Sequence, residues 1–408
     1  MSRYIYFVGK PYPIKDALEK VRKQGYKIGL FLDINTTVRN RNSYDNIVEV
    51  NYSSSQAIKD SLRGKKLTVN GLICTYENYI LAKSHLANYF NLPAQSLSSA
   101  QMSTDKYIMR QAFKQVDPNI TPEFKLVSNE QEALEAGRSL GFPLILKPTN
   151  LVKSLLVLRC NNESELRQNF FLAQSKINHL YKKHKVYERQ PRFILEQYIK
   201  GKSCSIAAFV DRTGKPYFCE GIAALTNAQD LGINDNYLYK RLLPADYNEK
   251  LKNDLFNVAA KGVRALKMTS CPAHVELIYN NEGVKIIEIG ARIGGYRPRM
   301  YELSYGLDLI AQEIKLSIGQ EPNLSGNFQN YCAVYELFPK KEGKFVDIKG
   351  RVNTAGLNYY SVKPKVGDLV GPAQNGYKAV AVAMVANPDK INFNQICNLV
   401  EKLEVKIR

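Results

Sequence analysis

Long apolar runs, paired cysteines and glycine-rich phosphate loops are all missing from this chain of 408 residues. Nothing approaches the roughly 18 consecutive apolar residues of a membrane-spanning helix, so none is expected. The opening segment Met1 to Lys10 reads as a first β-strand. It has neither the apolar centre nor the small-residue cleavage site of a secretory leader, which points to the cytoplasm. Cys74, Cys160, Cys204, Cys219, Cys271, Cys332 and Cys397 form an odd, dispersed set with no zinc or redox spacing. Each is expected to be a small buried hydrophobe in a reducing compartment. The four histidines show no metal-binding spacing either. Val8-Gly9-Lys10-Pro11 closes the first strand with one glycine and no dinucleotide or phosphate-loop spacing, so it reads as a plain strand end. There is no repeat and no low-complexity tail.

Acidic residues are in short supply: 38 Asp and Glu face 57 Lys and Arg, a formal charge of +19. Such an excess raises the question of nucleic acid. The densest basic stretch, Tyr181 to Arg192, mixes aromatics with cations as single-strand binders do. It lies between a helical segment and a strand, however, and reads as a solvated crossover. The other cations are spread along the chain rather than gathered on one element. Nucleic acid is therefore not expected as the main ligand; anionic small molecules are.

A hydrophobic fraction of 45% over this length can fill roughly two or three cores. Residues 1–100 alternate strands and helices: strands at Tyr4–Val8, Ile28–Leu32, Asn46–Val50 and Leu72–Cys74, helices at Ile14–Gln24, Gln56–Leu62 and Asn78–Phe90. That order implies an open α/β layer with a parallel sheet. A helix Ser103–Gln115, capped by Ser103, opens the next part. Strands follow at Phe124–Val127, Leu144–Lys147, Ser154–Leu158 and Phe193–Tyr198, with helices at Glu130–Leu140 and Ser164–Leu180. Ser203–Asp211 and Pro216–Gly221 read as a hairpin, and Lys250–Leu266 as an amphipathic helix. From about residue 330 the chain turns β-rich, with strands at Tyr331–Phe338, Asn358–Val362 and Ala379–Ala386.

The most informative segment runs from His274 to Gly295. Two β-rich runs flank Asn281-Glu282-Gly283, read as a three-residue loop with glycine in the left-handed position. That loop sets Asn280 opposite Val284 and hence Glu276 opposite Glu288 on one face. The other face carries Val275, Leu277, Tyr279, Ile287 and Ile289, with Lys285 out of place. Facing carboxylates repel and persist by sharing a proton or a cation. With no soft ligand nearby, Mg²⁺ or Mn²⁺ fits best. The plainer alternative is an exposed hairpin with two solvated glutamates. Arg292, followed by Gly294 and Gly295 with their accessible N–H groups, favours the site: such a set suits developing phosphate charge.

Two lysines precede the hairpin. Lys106 shares a helix face with Arg110, and Lys147 closes the buried run Phe142 to Leu146, where a cation calls for an anionic partner. Glu196-Gln197-Tyr198-Ile199 ends a strand whose backbone could meet the rim of a purine, although a plain strand end reads equally well.

Taken in chain order, Lys106, Ile145-Leu146-Lys147-Pro148, Glu196-Gln197-Tyr198-Ile199, His274-Val275-Glu276 and Glu288-Ile289-Gly290-Ala291-Arg292-Ile293-Gly294-Gly295 resemble the ATP-grasp superfamily. Within it the chain is most similar to the carboxylate–amine ligases that include the L-amino-acid (dipeptide) ligases. The resemblance runs over nearly the whole chain. It implies an α/β (α+β) ATP-grasp fold: an N-terminal α/β domain over 1–100, an ATP-grasp domain over 101–325 with a nucleotide-binding lid at about 122–200, and a β-rich C-terminal region over 326–408. It also implies that ATP phosphorylates a substrate carboxylate and that an amine then attacks the acylphosphate. By position, Lys106 and Lys147 would hold the nucleotide phosphates and the backbone of Gln197, Tyr198 and Ile199 would meet adenine. Glu276 and Glu288 would carry Mg²⁺, and Arg292 would stabilise the acylphosphate.

Three positions depart from the pattern. The asparagine expected two residues after the second glutamate is Gly290. The flap Thr149 to Val157 has no glycine, leaving Ser154 in place and Lys153 to compensate by charge. The ribose-contacting glutamate is replaced by Ser203. Arg297 and Arg299 are candidates for a substrate carboxylate, with Lys240 and Arg241 weaker ones in the long loop 226–246, itself a candidate lid. A carboxylating ligase of the biotin carboxylase type and a non-catalytic nucleotide-binding protein are the alternatives. The partners expected are small-molecule acids and amines; a monomer and a homodimer both remain open.

Overall fold

The computed structural model describes residues 3–11, 15–34, 36–38, 40–152, 154–187, 189–233, 235, 237–350 and 356–408. Strands Tyr4–Gly9, Lys27–Asp33, Asn46–Val50 and Gly71–Ile73 form a wholly parallel sheet in the spatial order third, second, first, fourth. Its inner strands are covered on both faces, which is why Ile28 to Leu32 reads as an unbroken apolar run. One face packs under helices Ser55–Leu62 and Ile80–Phe90. The other packs under helix Lys15–Lys23 and under Leu309–Ser317, whose Ile310 and Ile314 lie among Ile5, Phe7, Ile28 and Leu30.

A second, four-stranded antiparallel sheet has the order Phe124–Val127, Phe193–Gln197, Leu144–Pro148, Leu158–Cys160. Helices Glu130–Leu140 and Glu163–Lys183, capped by Asn129 and Asn162, cover one side of it. The strand expected at Ser154–Leu158 does not form: Ser154 and Leu156 take φ of +54° and +55°, a turn conformation, and pairing starts at Leu158. The helix expected to start at Ser103 starts at Lys106, and a separate short helix precedes it. Leu97–Met102 ends at Ser103, and Asp105 caps Lys106–Val116 by accepting from the N–H groups of Tyr107 and Ile108.

The largest layer is a nine-stranded antiparallel sheet. Along it lie Gly283–Gly290, Cys271–Asn280, Lys202–Val210, Ala223–Asn227, Leu238–Leu243, Tyr331–Leu337, Ala381–Asn387 and Tyr359–Val362, with Pro216–Phe218 beside Lys202–Val210. Three strands after residue 326, Tyr331–Leu337, Ala381–Asn387 and Tyr359–Val362, thus continue the same sheet. Segment 226–246 is not one open loop: its start and its later part belong to the paired strands Ala223–Asn227 and Leu238–Leu243. Alternation sorts the side chains. Cys204, Ile206, Ala208 and Val210 face the helices Lys106–Val116 and Glu249–Ala265, whereas Ala207 and Phe209 face helix Arg297–Tyr305. A small sheet of Leu369–Val370, Gly343–Lys349 and Glu404–Ile407 and the helix Lys390–Val400 complete the chain. All seven cysteines are buried and unpaired. Among the described residues no helix is long and apolar enough to cross a membrane.

Candidate active site

Glu276 and Glu288 are cross-strand partners, but not by the expected route. The turn holds two residues, so Asn280 pairs with Gly283, Tyr279 with Val284 and Leu277 with Ile286. Ile287 is then an extra residue, a β-bulge, and pairing resumes at Glu276 with Glu288. The bulge also corrects the buried stripe: Ile286, not Ile287, packs with Val275, Leu277 and Ile289 in the core. Glu276 pairs on its other side with Ser205, so both carboxylates look toward the face that carries helix Arg297–Tyr305.

Cations ring this pair. Lys106 Nζ lies 3.2 Å from Glu288 Oε1 and donates to the carbonyl of Leu151 at 2.9 Å. Lys147 Nζ meets Glu196 Oε2 at 2.7 Å, and Arg110 grips the same carboxylate through Nε at 2.9 Å and Nη2 at 3.3 Å. All three side chains of that triad are buried. Burial drives the Glu196 carboxyl upward, yet the two cations outweigh it and hold it below the usual range. Burial lowers the Lys147 ammonium, opposed by Glu196; the triad is read as fully charged.

Arg292 Nε pairs with Glu77 Oε2 at 2.8 Å, a residue of the N-terminal layer. Burial works against the Arg292 charge, but Glu77, Glu288 and Glu276 raise its pKa overall, while burial pushes the Glu77 carboxyl up against the pull of Arg292. This contact explains Gly290. A Cβ there would stand 3.0 Å from Glu77 Oε2, so a side chain at this position would crowd the glutamate. His274 Nε2 meets Glu276 Oε1 at 3.2 Å. Because the carboxylate can only accept, Nε2 carries the proton, and Nδ1 is left buried with no partner. Burial pushes the Glu276 carboxyl up, but the His274 hydrogen bond and the nearby arginines prevail and hold it at about 2.

Arg297 is 1% exposed, donates through Nη2 to Ser205 Oγ at 2.6 Å, and has no carboxylate within ion-pair distance among the described residues; its Nε has no partner. Burial, with Arg241 nearby, lowers it to about 10, so it stays charged at neutral pH. Arg241 itself is bound to Glu336 at 2.8 Å and lies over the ring of Tyr296, whose hydroxyl donates to Glu336 Oε1 at 2.9 Å. Arg299 is not brought to the site: it lies on the outer side of its helix and pairs with Glu302 one turn on. Lys240 faces away and pairs with Glu401. Gly294 is required by close approach, since a Cβ would sit 2.5 Å from His274 Nδ1, whereas Gly295 has open space around it.

At the purine end, Gln197 N–H donates to Glu123 O and Tyr198 N–H to Pro143 O. Among the described residues Ile199 keeps its N–H clear of protein partners, which narrows the expected backbone contact to that donor and the neighbouring carbonyls. Ser203 shares the sheet face of Ser205. Ser154 is in an exposed turn, and Lys153 lies outside the described residues. Sequence reasoning missed Glu77, Ser205 and Glu336 as members of the site. No local signal marks them; each is placed by sheet pairing or by a layer distant in sequence. A surface depression of about 490 Å³ beside Tyr107, Gln111, Lys114 and Phe124 contains none of these groups.

Two facing carboxylates with hard oxygen donors fit a divalent cation that keeps water and phosphate in its remaining positions. The described residues offer no group of three or more His, Cys, Asp or Glu for a closed protein cage.

Comparison with known proteins bears on the fold. Residues 140–298 match the ATP-grasp domain family. An uncharacterized protein, y4rH, of Sinorhizobium fredii is 22% identical over 303 residues, 72% of this chain and 58% of that protein, so the match spans well under two thirds of that relative's length. The L-arginine-specific L-amino acid ligase of Bacillus subtilis is 24% identical over 322 residues, covering 74% of this chain and 72% of that one. The crystal structure of an L-amino acid ligase from Bacillus licheniformis superposes with a TM-score of 0.80 at 17% identity, over 100% of this chain and 99% of that one. The fold is that of the ATP-grasp proteins.

Proposed function

Since the chain carries an ATP-grasp domain, we propose that it is an ATP-dependent carboxylate–amine ligase that forms an amide or peptide bond, with an amino acid or a small peptide-like molecule as substrate. In the first step a carboxylate oxygen of the acid attacks the γ-phosphorus of ATP; the new O–P bond forms as the bond to the β-phosphate oxygen breaks, giving an acylphosphate and ADP. In the second, the amine nitrogen attacks the acyl carbon, the C–O bond to phosphate breaks, and the nitrogen loses a proton. Phosphoryl transfer asks mainly for positioning and charge neutralisation. Mg²⁺ between Glu276 and Glu288 would neutralise phosphate charge.

The chain's own residues supply the rest. Lys106 and Lys147 line the approach of the phosphates, and the Ile199 N–H faces the base. Arg292, already bound to Glu77, is poised to turn its remaining donors toward the acylphosphate. The glycine pair ahead of helix Arg297–Tyr305 leaves backbone N–H groups near developing negative charge. The observation that carries the reading is the Glu276–Glu288 pair on one face with Arg292 and the unpaired Arg297. Six cations (Lys106, Arg110, Lys147, Arg241, Arg292, Arg297) there face five carboxylates (Glu77, Glu196, Glu276, Glu288, Glu336), an excess that a divalent cation would enlarge and that a polyphosphate and a carboxylate would balance. Arg297, with no carboxylate of its own, is the preferred anchor for a substrate carboxylate.

The test is phosphate and ADP release from ATP and Mg²⁺ in the presence of pooled amino acids and carboxylic acids, with mass spectrometry of products. Amino-acid-dependent ADP release with a new amide supports the ligase. Bicarbonate-dependent turnover alone would redirect the assignment to carboxylation, and nucleotide binding without turnover would redirect it to a non-catalytic role.

A further inference from the structure

Pairing in the hairpin poses a register problem that the bulge solves. With a two-residue turn and an unbroken ladder, Glu276 would pair with Ile287 and Glu288 with Val275. Because side chains alternate along a strand, Glu288 would then point into the apolar face while Glu276 stayed on the other. One extra residue, Ile287, returns both carboxylates to the same side. A bulge leaves a backbone group outside the ladder, and such a group needs a partner. Here the carbonyl of Ile287 accepts from Arg110 Nη2 at 2.6 Å. The same guanidinium holds Glu196 at the end of the strand Phe193–Gln197. Arg110 is fully buried, and its planar fork reaches the Glu196 carboxylate through Nε and Nη2 and the Ile287 carbonyl through Nη2, a fixed geometry that the single ammonium of a lysine does not reproduce.

We propose that Arg110 is a positioning residue that locks the Ile287 bulge and thereby keeps Glu288 facing Glu276, tying the carboxylate pair to the strand that carries Glu196. The metal part of this inference rests on the proposed function; the register part does not. Without Arg110 the partly buried bulge carbonyl loses its side-chain donor, and the strand gains by sliding into the flush ladder that carries Glu288 to the wrong face. Deleting Ile287 gives the opposite result: the ladder becomes flush with Glu276 still opposite Glu288, and Arg110 is no longer needed for register.

The experiment uses the full chain and three variants: Arg110→Lys, the Ile287 deletion, and both together. Two readouts are taken, crystal structures without ligands and Mn²⁺ binding in the presence of ADP followed by electron paramagnetic resonance. Arg110→Lys is expected to weaken Mn²⁺ binding by about tenfold or more, the order seen when a hydrogen-bonded support of a metal ligand is lost, and to show Glu288 turned from Glu276. The double variant is expected to regain most of the affinity and the facing pair. Glu288 unmoved in Arg110→Lys, or a double variant no better than Arg110→Lys, would overturn the proposal. If Arg110→Lys alone fails to fold, the double variant decides: a folded chain with Glu288 facing Glu276 supports the lock, and failure of both overturns it in favour of a purely structural Arg110–Glu196 pair. If the wild-type chain binds no Mn²⁺, the ligase reading is at fault, and the crystal structures still decide the register.

Discussion

Replacing Glu313 by glutamine should stabilise the protein at pH 8 and do almost nothing at pH 5. Glu313 lies on helix Leu309–Ser317, 2% exposed, against the parallel sheet. Its carboxylate has one long hydrogen bond, from Cys74 N–H at 3.4 Å, and Lys83, also buried, is not within ion-pair distance. Burial therefore raises the carboxyl from 4.5 to about 7, with Lys83 and the Cys74 N–H opposing only in part. The folded chain holds its proton longer than the unfolded one. Below pH 4.5 both states are protonated and the group costs nothing. As pH climbs, the unfolded chain gains from ionising, and stability falls until the folded group ionises near pH 7. The span of the shift corresponds to a loss of about 3 kcal/mol above pH 7. Glutamine keeps the shape without the ionisation. In thermal unfolding, Glu313→Gln should thus gain roughly 3–4 °C at pH 8 and no more than about 1 °C at pH 5, on the unfolding entropy expected of a chain this long. Equal gains at both pH values, or a loss at pH 8, would refute the argument by showing that Lys83 depends on an ionised Glu313.

Three more predictions concern the site. Glu196→Gln leaves Lys147 and Arg110 buried beside a neutral amide and should cost about 3–5 kcal/mol in denaturant unfolding; a loss under about 1 kcal/mol would mean that the triad is solvated. Arg292→Ala should cut product formation by about a hundredfold or more while leaving most ADP affinity, measured by turnover beside calorimetry; unchanged turnover removes Arg292 from the mechanism. Arg297→Leu should raise KM for one organic substrate by about thirtyfold, the worth of a charge-assisted hydrogen bond of about 2 kcal/mol. An effect confined to nucleotide binding would place the carboxylate elsewhere.

Much of this was legible in the chain, for identifiable reasons. The parallel layer shows because its strands are short, largely apolar runs separated by helices. The Glu276–Glu288 pair was found with a wrong loop length, since a three-residue loop and a two-residue turn plus a bulge give the same pairing; only Ile286 against Ile287 in the core tells them apart. Helix start was misread at Ser103 because Ser103 and Asp105 are both good caps; Ser103 instead ends the preceding helix, and Asp105 accepts from the N–H groups of Tyr107 and Ile108. Glu77 was invisible because its partner Arg292 is distant in sequence and belongs to another layer. The strand Gly343–Lys349 was missed because most of its side chains stay out of the core, which blurs the alternation that marks a strand.

The helix Leu309–Ser317, which closes one side of the parallel sheet, carries a consequence for synthesis on the ribosome. Ile73, in the last strand of that sheet, emerges 236 residues before Leu309, a delay of roughly ten to fifty seconds at ordinary translation rates. Throughout that interval Ile5, Phe7 and Ile28 lack the part of their cover that Ile310 and Ile314 supply, so the nascent N-terminal layer is a natural client for a chaperone, and a chain truncated before Leu309 should yield an aggregating fragment rather than a small soluble domain.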